Sequence, residues 1–76
     1  MSETHFINVK ITTEYITLGQ FLKYQNIISE GSLAKSFINE HLIKVNDEEN
    51  KQRGKKLYPG YKINIDDKLF FEIVRW

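Results

Sequence analysis

Cysteine is absent from this 76-residue sequence, which excludes both disulfide bonds and thiolate metal sites. A small chain without cysteine fits a reducing compartment, so the sequence predicts a cytoplasmic protein. Long apolar runs are missing as well. No stretch approaches the 18 apolar residues of a membrane helix, and the start M-S-E-T-H-F-I-N-V-K lacks the pattern of a secretion signal. We therefore expect neither export nor membrane insertion.

An excess of charge of either sign is also missing, because 11 basic and 10 acidic side chains leave a formal net charge of +1. Contact with a polyanion would have to come from an uneven distribution of charge. Candidate catalytic residues are few. His5 and His41 have no carboxylate spacing typical of a metal site or a triad, and there is no Gly-rich phosphate loop. We expect no enzyme activity, no cofactor and no metal, and interpret His41 as a surface or capping residue.

Apolar residues are plentiful enough for a packed fold, since they make up 41% of the chain and include five Phe, four Tyr and one Trp. A chain of this length has room for one domain, which buries only about 60% of the surface of its unfolded chain. No internal repeat, linker or low-complexity segment interrupts it. The sequence therefore predicts a single domain over residues 1–76, with a thin core and no deep catalytic cleft.

The spacing of apolar residues predicts a strand followed by two short helices. Residues 6–12 alternate between apolar and polar side chains, the period of a half-buried strand. Thr17 and Gln20 have the spacing of a capping box, so a first helix is expected to begin there. The segment 29–31 separates it from a second helix. The predicted apolar faces are formed by Leu18, Phe21 and Leu22 and by Leu33, Ala34, Phe37, Ile38 and Leu42.

Three further strands are predicted after the second helix. The first contains Ile43 and Val45 and leads through D-E-E-N into a hairpin loop. The second follows the Pro59-Gly60 turn, and the third covers residues 69–76 after a turn at Asp66-Asp67. The predicted fold class is α+β, with two short helices packed on a small, mostly antiparallel sheet.

Positive charge is concentrated between Lys51 and Tyr61, in the segment K-Q-R-G-K-K-L-Y-P-G-Y. It contains four basic side chains and no acidic one, and we predict that it forms a basic hairpin. Neighbouring cations repel one another, so they are kept together either because water screens them or because a negatively charged partner compensates them. The alternative is a solvated basic hairpin without a role. The organisation around the segment favours structured RNA as the partner.

The order and spacing of these elements resemble the S-four type RNA-binding domain, the αL motif, over roughly residues 16–66. The resemblance is carried by L-G-Q-F-L-K, G-S-L-A-K, I-K-V-N and R-G-K-K-L-Y-P-G-Y-K-I. The R-G-K-K-L form is most similar to the small stand-alone bacterial YaaA-like and YbcJ-like members. In that family the two helices and the adjacent hairpin bind folded RNA. The resemblance therefore implies ribosomal RNA first, during assembly or on ribosomal particles, and transfer RNA second.

Departures from the family pattern affect the expected site. Many members begin the second helix with Ser-Arg, whereas Glu30 and Gly31 stand here, and Lys35 is expected to replace the missing arginine near that helix start. Arg53 can bind a phosphate with its planar fork or pair with a neighbouring glutamate. The lysines can instead be solvated surface charges. The candidate RNA-binding residues are Lys35, Lys51, Arg53, Lys55, Lys56, Lys23, Lys44 and Ser32.

Other interpretations stay open at this point. Tyr24 and Tyr58 can stack on an unpaired base or fill the thin core. A protein-interaction module is the main alternative function, in which an exposed strand edge rich in Phe70, Val74 and Trp76 binds a partner by strand addition. A sulfur-carrier fold is a third class, but the chain ends V-R-W without the Gly-Gly tail that such carriers require. We expect a monomer.

Overall fold

The computed structural model describes residues 5–76, which form one five-stranded sheet, one two-stranded sheet and two short α-helices. In chain order the elements are β1 (Ile7–Ile11), β2 (Ile16–Thr17), α1 (Leu18–Tyr24), a 3-10 turn (Gly31–Leu33), α2 (Ala34–Glu40), β3 (Ile43–Val45), β4 (Glu48–Glu49), β5 (Lys56–Leu57), β6 (Lys62–Ile65) and β7 (Leu69–Arg75). The predicted α+β class is confirmed. None of these helices is long and apolar enough to cross a membrane.

The larger sheet has the strand order β1-β7-β6-β3-β4. All neighbours are antiparallel except β1 and β7, which run parallel. Two tight turns explain two of the three antiparallel pairs. Asn46 and Asp47 join β3 to β4 with φ values of 52° and 70°, and Asp66 and Asp67 join β6 to β7 with 56° and 53°. Positive φ at both central residues is typical of type I′ hairpin turns, which Asn and Asp tolerate.

The core lies between one face of the larger sheet and the two helices. Phe21 of α1 is completely buried, and its ring meets that of Phe71 of β7 edge to face at 5.0 Å between centroids. Because side chains alternate along a strand, the residues between the buried ones point to the opposite face, which we call the outer face. The outer face carries Lys10, Lys44, Lys62, Asn64, Phe70, Glu72 and Val74.

Local signals define the first helix as the sequence predicts. The Thr17 hydroxyl accepts a hydrogen bond from the Gln20 N–H at 3.3 Å, and the Gln20 side-chain oxygen accepts one from the Thr17 N–H at 3.1 Å. The capping box is therefore confirmed. The second helix is shorter than its apolar pattern suggests, because its first turn is a 3-10 turn and the helix ends at Glu40. Leu33 is consequently exposed, and Leu42 lies beyond the helix.

Asp66 fastens the end of α2 to the sheet. Its carboxylate lies 2.6 Å from His41 Nδ1 and accepts a hydrogen bond from the Leu42 N–H at 2.9 Å. The His41 hydrogen bond and then the Leu42 hydrogen bond lower the pKa of the Asp66 carboxyl below its usual value. His41 occupies the C-cap position of α2, where its backbone N–H donates to the Phe37 carbonyl and its side chain contacts Asp66 rather than the helix carbonyls.

The basic segment does not form the predicted hairpin. The strand before it, β4, pairs with β3, whereas β5 pairs with β2 in the small separate sheet. The hairpin in this region is β3–β4, and its strand β4 consists of Glu48 and Glu49, which the sequence assigned to a turn. Residues 51–55 instead form a loop that crosses from the larger sheet to the start of α1. We call residues 51–56 the basic loop.

Candidate nucleic-acid interface

The basic loop is attached to the first turn of α1 by its main chain. The Gly19 N–H donates to the Arg53 carbonyl at 2.8 Å, and the Leu18 N–H donates to the Lys55 carbonyl at 2.9 Å. These N–H groups have no partner within the helix, because the first turn of any α-helix leaves its donors free. The loop carbonyls therefore cap α1, and this contact fixes the position of Arg53 beside the helix.

Gly19 allows the loop and both helices to meet at one point. A Cβ atom at this position would lie 3.4 Å from the Arg53 carbonyl oxygen and 3.6 Å from the Ala34 Cβ atom. A larger side chain would push α2 or the loop away from α1. Ala34 is buried at this contact, which agrees with the close helix packing expected from its size. The small residues thus form the joint between α1, α2 and the basic loop.

A shallow groove of about 350 Å³ runs along this joint. We call it the basic groove, and it is lined by Thr17, Gly19, Gln20, Lys23, Gly31, Ala34, Arg53 and Gly54. A Cβ atom at Gly31 or Gly54 would meet nothing within 4 Å, so packing does not require glycine at either place. Both glycines leave the groove open to a closely approaching ligand backbone.

The cations that line the basic groove come from α1 and the loop, as Lys23 and Arg53. Lys35 and Ser32 are exposed and follow the lining residues Ala34 and Gly31 in the chain, but neither of them lines the groove. Within residues 5–76, no carboxylate forms an ion pair with Lys23, Lys35 or Arg53. Uncompensated cations beside an open groove attract a ligand with negative charge.

Lys55 and Lys56 point to different surroundings, as expected for neighbours at the start of a strand. Lys55 lines a separate pocket together with Glu48 and Glu49 of the β3–β4 hairpin. The Lys56 ammonium lies 4.9 Å from the centroid of the Tyr15 ring, within the range of a cation–π contact. The side chains of Lys55 and Lys56 therefore lie on opposite sides of the basic loop, and neither of them lines the basic groove.

Lys51 is already engaged within the protein. Its ammonium donates to the Ile38 and His41 carbonyls, both at 3.2 Å, and lies 3.6 Å from the Glu49 carboxylate. The two carbonyls belong to the C-terminal end of α2, where helix carbonyls lack partners and cations are favourable. The structure thus gives Lys51 a capping contact that the sequence did not predict.

We expect Lys51→Met to lower the free energy of unfolding by about 1 kcal/mol, because it removes the cation from the helix end while keeping the apolar stem. Lys35→Met is the matched control, since the Lys35 ammonium has no hydrogen bond, ion pair or ring contact in the described part of the chain. Urea unfolding of both variants measures the difference. If the Lys51 variant had unchanged stability and strongly reduced RNA binding, Lys51 would be an RNA-binding residue rather than a cap of α2.

Lys44 is remote from the basic groove. It lies on the outer face of the sheet, opposite the helices, and its ammonium is 3.9 Å from the Asp67 carboxylate. The sequence analysis included it among the candidate RNA-binding residues as a lysine flanking the expected site. Tyr15 was not selected from the sequence at all, and Gln20 was read only as a cap. The contribution of Tyr15 and Gln20 to the surface around the basic loop can be recognised only from the pairing of β2 with β5.

The described residues contain no group of three or more His, Cys, Asp or Glu side chains that could hold a metal ion.

A family model described as S4 domain matches residues 9–73. The chain belongs to the S4 domain family. The family resemblance inferred from the sequence is confirmed. The matched range extends beyond residues 16–66 and takes in most of β1 and β7.

This S4 domain also matches a curated relative. It is 47% identical over 66 residues to a protein of Bacillus subtilis (strain 168) named probable ribosome maturation protein RlbA, and the match covers 87% of this chain and 93% of the relative. No solved structure matches the chain significantly. In this S4 domain, the basic groove lies where both helices and the basic loop meet.

Proposed function

We propose that this protein is a non-catalytic RNA-binding protein that recognises structured RNA, namely ribosomal RNA during maturation of the ribosome. The observation that carries the proposal is the basic groove. Lys23 and Arg53 line it without acidic partners among residues 5–76, and two glycines leave it open. A chain with a net charge of only +1 thus presents a local positive surface.

The family and the relative support the choice of RNA as the polyanion. S4 domains are the family that the sequence resembles through its helix and loop motifs, and the name of the relative refers to ribosome maturation. The match to the relative covers nearly the whole of both chains, so the comparison concerns the entire domain. We infer from this a role on ribosomal particles in the cytoplasm, acting as a monomer.

The groove suits recognition by shape and charge. The planar guanidinium of Arg53 can donate two hydrogen bonds to one phosphate, whereas the Lys23 ammonium acts as a point charge. RNA helices present their base edges in a deep, narrow groove that side chains cannot enter, so a small basic surface reads phosphate positions and 2′-hydroxyls. We therefore propose low sequence specificity and a preference for folded RNA.

Binding to structured RNA is expected to weaken steeply with salt, because phosphate contacts release condensed counterions. With three to five contacts, the slope of log affinity against log salt concentration should lie between roughly −2 and −4. Fluorescence anisotropy with a labelled ribosomal RNA fragment at several salt concentrations gives this slope. A flat response would contradict an electrostatic mechanism.

The identity of the RNA can be tested directly by crosslinking the protein to RNA in cell extract and sequencing what is bound. Enrichment of ribosomal RNA supports the proposal. Enrichment of transfer RNA would identify transfer RNA as the ligand instead, and recovery of no RNA overturns the proposal. Sedimentation of the protein with ribosomal subunits or their precursors is the companion measurement. The crosslinking and the sedimentation should both be repeated with the double variant Lys23→Glu and Arg53→Glu, which reverses the charges lining the basic groove.

A protein-docking function is the second candidate, because β1 is an edge strand and part of its surface is apolar. Ile7 is 50% exposed on this edge, and Trp76 beyond β7 is 74% exposed. A partner strand could add to β1 and cover Ile7. The last strand offers no such edge, because β7 with Phe70 and Val74 lies between β1 and β6. Ile7→Lys should block such a partner while leaving RNA binding unchanged, and co-sedimentation with ribosomal particles separates the two functions.

A further inference from the structure

A second and larger hollow, of about 740 Å³, lies next to the basic groove. It is lined by residues 13–16, which connect β1 to α1, and by Gln20, Lys23 and Tyr24 of α1 itself. We call it the tyrosine cleft. It is a wide, open hollow, so a ligand bound in it would stay partly exposed to solvent. The function proposed above does not use it.

Tyr24 forms an exposed but positioned wall of the tyrosine cleft. The side chain is 55% exposed, and its hydroxyl donates a hydrogen bond to the Lys10 carbonyl at 3.0 Å. The hydrogen bond holds the far end of the ring, so the ring loses little further freedom when a flat ligand stacks on it. An accessible aromatic ring fixed in this way is a stacking platform.

The two hollows are neighbours, because Gln20 and Lys23 line both of them. The side-chain oxygen of Gln20 is occupied by the capping box, but its amide N–H groups have no partner in the described part of the chain. They are therefore available as donors to a ligand that passes from one hollow to the other. A chain lying in the basic groove can thus place one of its units in the tyrosine cleft.

The charges around the cleft decide which part of an RNA chain can enter it. Glu14 lines the cleft and repels a phosphate, but its carboxylate can accept hydrogen bonds from the N–H groups of a nucleobase. Positive charge lies at the rim, where Lys23 faces both hollows and Lys56 sits over the Tyr15 ring. This arrangement favours a base inside and phosphates at the rim.

We propose that the tyrosine cleft takes one unpaired RNA base, stacked on Tyr24, while the phosphates beside that base lie against Lys23 in the basic groove. The proposal rests on the RNA-binding function proposed above and adds a structural preference to it. A fully paired helix keeps its bases stacked inside and cannot fill the cleft. The protein should therefore prefer RNA that has a bulged or looped base over a continuous duplex.

Two synthetic RNA hairpins test this proposal with the full-length protein. They share one stem, and one of them carries a single 2-aminopurine bulge whose fluorescence decreases when the base stacks. We expect wild type to bind the bulged hairpin about tenfold more tightly, which corresponds to about 1.4 kcal/mol and lies within the range for stacking one base on an aromatic ring. Tyr24→Ala should reduce the ratio of the two affinities to about one and abolish the fluorescence decrease.

Two further variants separate stacking from folding. Tyr24→Phe keeps the ring and should retain most of the preference. Phe6→Ala removes a partly exposed aromatic ring at the other end of β1, where it contacts Phe70, and should leave the preference unchanged. Equal affinity of wild type for the two hairpins, or an equal loss with Tyr24→Ala, overturns the cleft proposal and leaves the RNA-binding function standing. Failure to bind either hairpin at low salt overturns both.

Discussion

Reversing the charges of Lys23 and Arg53 together is expected to reduce the affinity for structured RNA about 100-fold at low salt. Each substitution to Glu removes an attraction and adds a repulsion at a phosphate, which corresponds to roughly a tenfold loss per residue for contacts near the surface. Both side chains line the basic groove and are exposed, so the substitutions should change the stability little. Anisotropy measurements with a ribosomal RNA fragment give the affinities.

The matched control is the double variant Lys62→Glu and Lys68→Glu, which changes the net charge by the same amount. Lys62 lies on the outer face of the sheet and Lys68 in the turn before β7, both away from the basic groove. Its affinity should fall only by the small amount that the net charge explains. If the two double variants lost the same affinity, the binding site would not be the basic groove.

Phe21→Ala is expected to lower the free energy of unfolding by about 3 to 5 kcal/mol. Phe21 is completely buried, and its ring contacts Phe71 across the interface between α1 and the sheet. The loss approaches the total stability of a small domain, so a large part of the protein should be unfolded at room temperature. Circular dichroism during urea or thermal unfolding measures the effect.

Phe37→Ala is the comparison for that experiment. The sequence places Phe37 in the same kind of apolar helical stripe, and from the sequence a similar loss would be expected. In the structure Phe37 is only half-buried, and its ring stacks on His41 at 4.1 Å at the end of α2. We therefore expect a loss of about 1 to 2 kcal/mol, because little cavity remains after truncation. A loss as large as that of Phe21→Ala would show that α2 contributes equally to the core.

The elements that the sequence predicted correctly depend on interactions between residues a few positions apart. The capping box joins Thr17 and Gln20, and the turn at Asp66-Asp67 needs only residues that tolerate positive φ. The alternation in β6 follows from having one buried face. These local rules, together with the motifs shared with S4 domains, were sufficient to predict the α+β class and the family.

The sequence was less informative where a long-range contact directs a side chain. Lys51, Arg53, Lys55 and Lys56 are close in the chain and were predicted to form one basic hairpin. The pairing of β5 with β2 and the capping of α1 by the loop separate them. Lys51 meets the end of α2, Arg53 faces the basic groove, and Lys55 and Lys56 lie on opposite sides of the loop.

The sequence by itself thus determined the fold class, the family and the concentration of positive charge, because periodicity, capping and motif spacing are properties of short segments. Only the tertiary structure decided which cations share a surface. It joined Lys23 to Arg53 across 30 residues of chain and brought Tyr24 beside the segment 13–16. Such groupings depend on which strands and helices pack together, and that packing is determined by the whole core rather than by neighbouring residues.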